Sequence, residues 1–88
     1  MEINKNNFSI IEGIVLSSSF KKTPSGQSFL KLKLEGQDGI QWIRDENKVY
    51  DGEKIRIYFA KGLGFKHQFI RIYEILDNDN EVKYQRFL

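Results

Sequence analysis

Residues Phe29 to Leu34 read FLKLKL, a run in which large apolar and basic side chains alternate. Successive side chains of a β-strand point to opposite faces, so this period of two predicts a strand with its leucines on one side. The opposite side then carries Phe29, Lys31 and Lys33. The leucines predict a buried face, and the other side is a mixed aromatic and basic surface.

The same alternation recurs towards the C-terminus. Ile55 to Phe59 predicts a strand with Arg56 and Tyr58 facing outward. Phe69 to Tyr73 predicts another, with Ile70 and Ile72 inward and the remaining residues outward, namely Phe69, Arg71 and Tyr73. Ile75 breaks that alternation, which indicates a bulge or the end of the strand.

The first predicted strand, about Phe8 to Phe20, is apolar on both faces. Ile11 and Val15 fall on one side, and the other side carries Ile10, Ile14 and Leu16. Gly13 lies in its middle and would permit the sharp coiling that a closed barrel needs. A doubly apolar strand in a small chain without disulfides favours self-association, so we expect a homo-oligomer, with a dimer favoured.

Turn signals divide the chain into five strands. Thr23-Pro24-Ser25-Gly26 is a turn sequence, a third strand spans Ile40 to Arg44, and Asp51-Gly52 and Gly62-Leu63-Gly64 precede the last two. Asp45 to Asp51 leaves room for one helical turn at most. This layout predicts an all-β fold, a five-stranded OB-fold Greek-key barrel with a short or absent helix between strands 3 and 4. The 88 residues form one domain, with its core at about 8–77 and a C-terminal arm or extra strand at 78–88.

The acidic residues avoid two long stretches of the chain. From Gly13 to Leu34 and from Lys54 to Tyr73 there is no Asp or Glu, although nine of the fourteen basic residues lie there. Both stretches also carry aromatic rings. Positive charge interleaved with rings is what a surface needs to hold a single-stranded nucleic acid, because cations neutralise phosphates and rings stack on bases.

The candidate binding residues follow from this pattern and form a predicted groove across strands 2 to 5. They are Lys21, Lys22, Phe29, Lys31, Lys33, Trp42, Arg44, Arg56, Tyr58, Lys61, Phe65, Lys66, Arg71 and Tyr73. Trp42 can be a core residue or a stacking platform beside Arg44. The second interpretation is favoured because Ile43 already offers a core side chain. Cross-strand cation–π packing is the alternative for the residues of strands 4 and 5.

Several other functions find little support in the sequence. The chain has no cysteine and a single histidine, which exclude disulfides and a zinc site, and Asp77 to Glu81 lacks the glycine of a calcium loop. We therefore expect no cofactor, no metal and no enzymatic activity. The polar N-terminus and the lack of an apolar run of ~20 residues favour a cytoplasmic protein without membrane contact.

Four segments of the chain form a pattern shared with a known family. They are Glu12-Gly13-Ile14-Val15, Lys21 to Gln27 with its Thr-Pro-Ser-Gly turn, Gln41-Trp42-Ile43-Arg44, and Val49 to Ile57. Through these segments the sequence resembles the bacterial single-stranded-DNA-binding proteins and the related primosomal replication protein. The resemblance implies that Trp42 stacks on a base. Phe65 falls near a loop tryptophan of that family. The chain departs from the family in lacking its long helix and its acidic C-terminal tail, which recruits replication proteins.

Composition and resemblance together predict low-specificity binding of single-stranded DNA in replication, recombination or repair. The compact size is also similar to that of the dimeric filamentous-phage single-strand-binding proteins, so a phage or mobile-element origin is expected. Three alternatives stay open at this point. They are binding of single-stranded RNA, a protein-interaction OB module such as an accessory subunit or an inhibitor, and a helper that loads other replication proteins, which would then be its partners.

Overall fold

Six antiparallel strands form one sheet in the computed structural model of the chain, which describes residues 5–46, 49, 51–60 and 70–88. The strands are β1 (Phe8–Lys22), β2 (Ser28–Leu34), β3 (Gln41–Ile43), β4 (Lys54–Ala60), β5 (Ile70–Leu76) and β6 (Val82–Phe87), preceded by a 3-10 helix at Lys5–Asn7. Their order across the sheet is β3-β2-β1-β4-β5-β6. The prediction of an all-β chain is confirmed, and the C-terminal segment supplies the extra strand.

Within the described part of the chain, backbone pairing does not close the sheet into a barrel. β3 pairs with β2 and β6 pairs with β5, so six strands with two edges replace the five-stranded barrel that was predicted. Side chains nevertheless connect the two edges. Asp45, just beyond β3, accepts a hydrogen bond from the Tyr73 hydroxyl at 2.6 Å and one from the Arg86 guanidinium at 3.3 Å. Residues 44–46, 49 and 51–53, between β3 and β4, contain no helix.

β1 holds the two halves of the sheet together because each end of this 15-residue strand pairs with a different neighbour. Its first half, from Phe8 to Ile14, pairs with β4, and its second half pairs with β2. A bulge at Leu16 separates the two, and Gly13 lies where β1 approaches the end of β2 closely. A Cβ atom at Gly13 would lie 3.0 Å from the carbonyl oxygen of Glu35. Gly13 is therefore needed for this close approach, while its role in coiling the strand stays a prediction.

The core lies on one side of this sheet and is built from the alternating apolar residues. The leucines of β2 are fully buried together with Ile55 and Ile57 of β4, as the period of two predicts. Val15 and Ile11 of β1 pack into the same core. Ile10, Ile14 and Leu16, on the other side of β1, are exposed. The prediction that β1 is apolar on both faces is therefore confirmed.

The predicted orientation of β5 is wrong over most of its length. Pairing with β4 passes from Ile70 to Ile72, so Arg71 is the extra residue of a bulge. Beyond the bulge the alternation is reversed. Tyr73, predicted to face outward, and Ile75 join the core, whereas Ile72 lies on the opposite side, across from Tyr58. A bulge or the end of the strand was expected near Ile75, and this is confirmed: pairing with β6 shifts register between Ile75 and Leu76, the last residue of β5. The bulge at Arg71, between β4 and β5, was not predicted.

Replacing Gly13 with alanine should destabilise the fold, because the new methyl group would press against the Glu35 carbonyl and the Leu34 side chain. We expect Gly13→Ala to lower the free energy of unfolding by about 1–3 kcal/mol, as overpacking typically does. Urea unfolding followed by circular dichroism measures this. Ser19→Ala, at an exposed site of the same strand, is the matched control and should stay within about 0.5 kcal/mol of wild type. Equal stability of the two variants would show that β1 and the end of β2 can move apart at Gly13 without a loss in the free energy of unfolding.

The buried tyrosines should make stability fall at alkaline pH. Burial of Tyr73 raises the pKa of its hydroxyl above the usual value of 10, and the hydrogen bond that this hydroxyl donates to Asp45 raises the pKa further. Tyr73 therefore ionises at lower pH in the unfolded chain than in the folded protein. Its contribution to the free energy of unfolding is complete below pH 10 and is lost as the pH rises above 10.

Urea unfolding between about pH 8 and pH 11 should show this decline, and Tyr73→Phe should make it shallower, whatever its effect at neutral pH. Tyr84→Phe removes a hydroxyl from a partly exposed tyrosine whose ring contacts Tyr73, and it should change the slope less than Tyr73→Phe does. Identical slopes in Tyr73→Phe and wild type would contradict the burial of this hydroxyl.

Candidate nucleic-acid interface

The side of β2 opposite the core, with its neighbours on β1 and β3, forms a surface that we call the basic face. Lys21 of β1 lies opposite Phe29 of β2, and Lys31 of β2 lies opposite Trp42 of β3. Directly opposed residues of antiparallel strands share one face of the sheet, and Lys33 falls on the same side by alternation. The basic face thus consists of Lys21, Phe29, Lys31, Lys33 and Trp42, gathered from three adjacent strands.

Two aromatic rings of the basic face border a cleft of about 400 Å³, the aromatic cleft. Trp42 and Phe29 line it together with Lys21, Lys22 and Thr23. Trp42 is 48% exposed, while Ile43 beside it is completely buried, so the tryptophan is not a core residue. The ammonium of Lys31 lies 5.7 Å from the centre of the indole ring, within reach of a cation–π interaction. One open aromatic surface and several cations therefore meet at one place.

The cations of this region have no acidic partner among the described residues. The ion pairs of the described structure involve Arg56, Lys83 and Arg86, all on β4 or β6. None involves the basic residues of β1 and β2 or the arginine after β3, which are Lys21, Lys22, Lys31, Lys33 and Arg44. The charge of these five residues is therefore directed to solvent, and the surface attracts anions.

The predicted binding residues of β4 do not join this surface. Arg56 bonds Glu12 at 3.1 Å and Glu74 at 3.2 Å, so its charge is neutralised within the fold. Tyr58 is only 1% exposed and donates a hydrogen bond to Glu74, while Phe8 packs edge-on against its ring. The prediction that Tyr58 offers its ring to solvent is wrong, because neighbouring side chains cover it.

The residues predicted on β5 do not extend the groove either. Tyr73 is buried in the core, where it bonds Asp45, because the bulge at Arg71 reverses the alternation. Arg71 itself is exposed, but it lies on the other half of the sheet, separated from β2 by β1 and β4. The predicted groove across strands 2 to 5 is therefore reduced to a surface on β1, β2 and β3.

Three predicted binding residues have no described position, and two residues that were not predicted line cavities. Lys61, Phe65 and Lys66 lie outside the described residues. Sequence reasoning missed Thr23, which lines the aromatic cleft, and Arg86, which shares a cavity with Arg44. Arg86 could have been predicted from β6, VKYQRF, where basic and aromatic residues are interleaved. The two stretches without acidic residues, Gly13 to Leu34 and Lys54 to Tyr73, show the same interleaving.

Comparisons with known proteins identify no relative: no protein-family model, no curated protein and no solved structure matches this chain. Over the residues that the structure describes, no helix is long and apolar enough to span a bilayer. The same residues contain no cluster of three or more histidine, aspartate or glutamate side chains arranged to bind a metal ion. The function must therefore be argued from the basic face itself.

The exposure of Trp42 beside unpaired cations can be tested without any ligand. Iodide, an anion, should quench the fluorescence of this sole tryptophan more efficiently than caesium, because the local potential is positive. Lys31→Gln should reduce the iodide quenching constant. Lys83→Gln makes the same charge change on β6, where Lys83 pairs with Glu53, and should leave quenching unchanged. Equal quenching by the two ions would contradict a positive surface around Trp42.

Proposed function

We propose that this protein binds single-stranded DNA with little sequence preference through the basic face. The observation that carries the proposal is the meeting of Trp42 and Phe29 in one open cleft surrounded by lysines without acidic partners. Rings of this kind stack on unpaired bases, which a duplex keeps inside its own stack. Lysines at the rim neutralise the phosphates that connect those bases.

Electrostatics supply the part of the affinity that does not depend on base identity. Each phosphate neutralised on a single strand contributes about −0.7 to the slope of log K against log salt. Lys21 and Lys22 line the aromatic cleft, and Lys31 lies over the Trp42 ring. Lys33 of β2 and Arg44, directly after β3, add two more cations on the neighbouring strands. Engagement of three to five of these cations would give a slope of about −2 to −3.5.

The cleft is poorly suited to recognise individual bases. Its one hydroxyl, on Thr23, is already engaged by the backbone amide of Gln27 at 3.1 Å and by Ser25 at 2.9 Å. The other lining groups are aromatic rings and lysine side chains. Stacking is tolerant of sequence because every base has an aromatic surface, so low specificity follows.

We further propose that the chain is a variant of the OB-type barrel of the single-stranded-DNA-binding proteins that its sequence resembles. Support comes from β1, which pairs with both β2 and β4, and from Asp45, which joins the end of β3 to β5 and β6 by side-chain hydrogen bonds. Dimerisation stays a prediction. The apolar residues exposed on β1, namely Ile10, Ile14 and Leu16, are compatible with it.

The aromatic residues give the sharpest test of this function. Phe29→Ala and Trp42→Ala should each weaken binding of a fluorescently labelled thymidine oligomer by ~1–3 kcal/mol, roughly 5- to 150-fold, measured by fluorescence anisotropy. Phe20→Ala is the matched control. Phe20 is an exposed phenylalanine opposite Leu30, so it lies on the other side of the same strand pair and should retain wild-type affinity.

The same measurement distinguishes the alternatives. A matched RNA oligomer that binds more tightly than the DNA would identify RNA as the ligand. Affinity that is unchanged between low and high salt, or unchanged in Trp42→Ala, would contradict nucleic-acid binding at the basic face. Retention of the wild type on single-stranded DNA resin, with release by salt, supports the proposal against a protein-interaction module.

A further inference from the structure

A second cavity lies near the end of β3, and none of its lining residues belongs to the basic face. It measures about 340 Å³ and lies between the turn that joins β1 to β2 and the end of β3. Arg44, two residues after Trp42, lines it from one side, and Arg86 of β6 lines it from another. We call it the edge cavity. It brings two arginines together that are 42 positions apart in the sequence.

The two arginines of the edge cavity differ in how they are held. Arg44 is exposed and makes no ion pair with the described residues. Arg86 is fixed by one hydrogen bond from Nη2 to the carboxylate of Asp45, at 3.3 Å. A guanidinium carries five N–H donors, so this bond orients Arg86 while leaving other donors for a ligand. A positioned arginine beside an unpaired one suits a bidentate anion.

Three of the remaining lining residues can accommodate an anion, whereas two carry carboxylates that oppose it. Ser28 contributes a hydroxyl, Gln27 contributes a side-chain amide, and Gly26 has no side chain. Two carboxylates are also present. The side chain of Asp45 is almost completely buried and satisfied by Tyr73, Arg86 and the Glu46 amide, so it does not compete for the open side of the cavity. Glu46 is exposed at the rim.

We propose that the edge cavity binds a backbone phosphate of the same strand whose bases stack in the aromatic cleft. The inference rests on the proposed function and adds a subsite to it. Ser28 directly precedes Phe29 in β2, and Arg44 comes two residues after Trp42, so the two sites lie close together on opposite sides of the β2–β3 edge. The bound DNA strand would leave the basic face across the edge of β3 and reach β6. The sequence alone did not place β6 near the basic face.

Oligomer length provides the test, because a short strand can fill the aromatic cleft without reaching the edge cavity. Thymidine oligomers of about four and about twelve nucleotides both fall within the range of about 4–16 nucleotides that one such domain binds. For the longer oligomer, Arg86→Gln should weaken binding about three- to tenfold and make the salt slope shallower by about 0.7, the loss of one phosphate contact. For the shorter oligomer, Arg86→Gln should bind as wild type does.

Two controls separate the subsite from damage to the fold. Lys83→Gln removes one positive charge from the same strand, outside the edge cavity, and should change neither affinity. Tyr73→Phe removes another hydrogen bond to Asp45 without removing a cation and should also retain both affinities.

The remaining outcomes are equally decisive. Arg86→Gln behaving like Lys83→Gln on the longer oligomer would overturn the subsite while leaving the proposed function intact. Equal losses on both oligomers would also overturn it, since they would place the effect at the aromatic cleft. A wild-type protein that binds neither oligomer would overturn the proposed function and the subsite together.

Discussion

The close approach of β1 to the end of β2 is the constraint on which the arrangement of this protein depends. One strand must serve two neighbours, pairing with β4 along its first half and with β2 along its second. Gly13 permits this because its missing Cβ leaves room for the Glu35 carbonyl, and the bulge at Leu16 changes the register between the two halves. The sheet therefore has two regions with different surfaces, although a single strand runs through both.

Charge is distributed unequally between these two regions, which gives the same residue types different roles. On the β4–β6 side, Arg56 lies between Glu12 and Glu74, and the buried carboxylate of Glu74 also accepts bonds from Tyr58 and Gln85. A buried carboxylate is tolerated only when such partners compensate for its lost hydration, so these groups are fixed by the needs of the fold. The lysines of β1 and β2 have no such partners among the described residues. Apart from the cation–π contact of Lys31 with Trp42, their charge is engaged in no charge contact within the described structure, and it remains available for an external anion.

Local alternation was sufficient to predict the strands, the buried leucines and the exposed side of β2. It also favoured an exposed Trp42, since Ile43 supplies the core residue of that short strand. It failed at Tyr73, because one bulged residue reverses every later side chain of a strand, and a bulge leaves only a weak mark in the sequence. It failed at Tyr58 for another reason. The side was correct, but Glu74 and Phe8, which cover the ring, come from other strands.

The same limitation explains why Arg86 was missed. Its place beside Arg44 depends on the hydrogen bond to Asp45 across the open edges of the sheet, a contact between residues 41 positions apart. Asp45 thus has two consequences: it holds β3 near β5 and β6, and it orients a guanidinium towards the edge cavity. The Asp45 carboxylate lowers the positive potential of the edge cavity, but it also fixes the orientation of the Arg86 guanidinium. A guanidinium that is already oriented loses less conformational entropy when a phosphate binds. Under the proposed function, the contact that connects the edges of the sheet would also extend its binding surface.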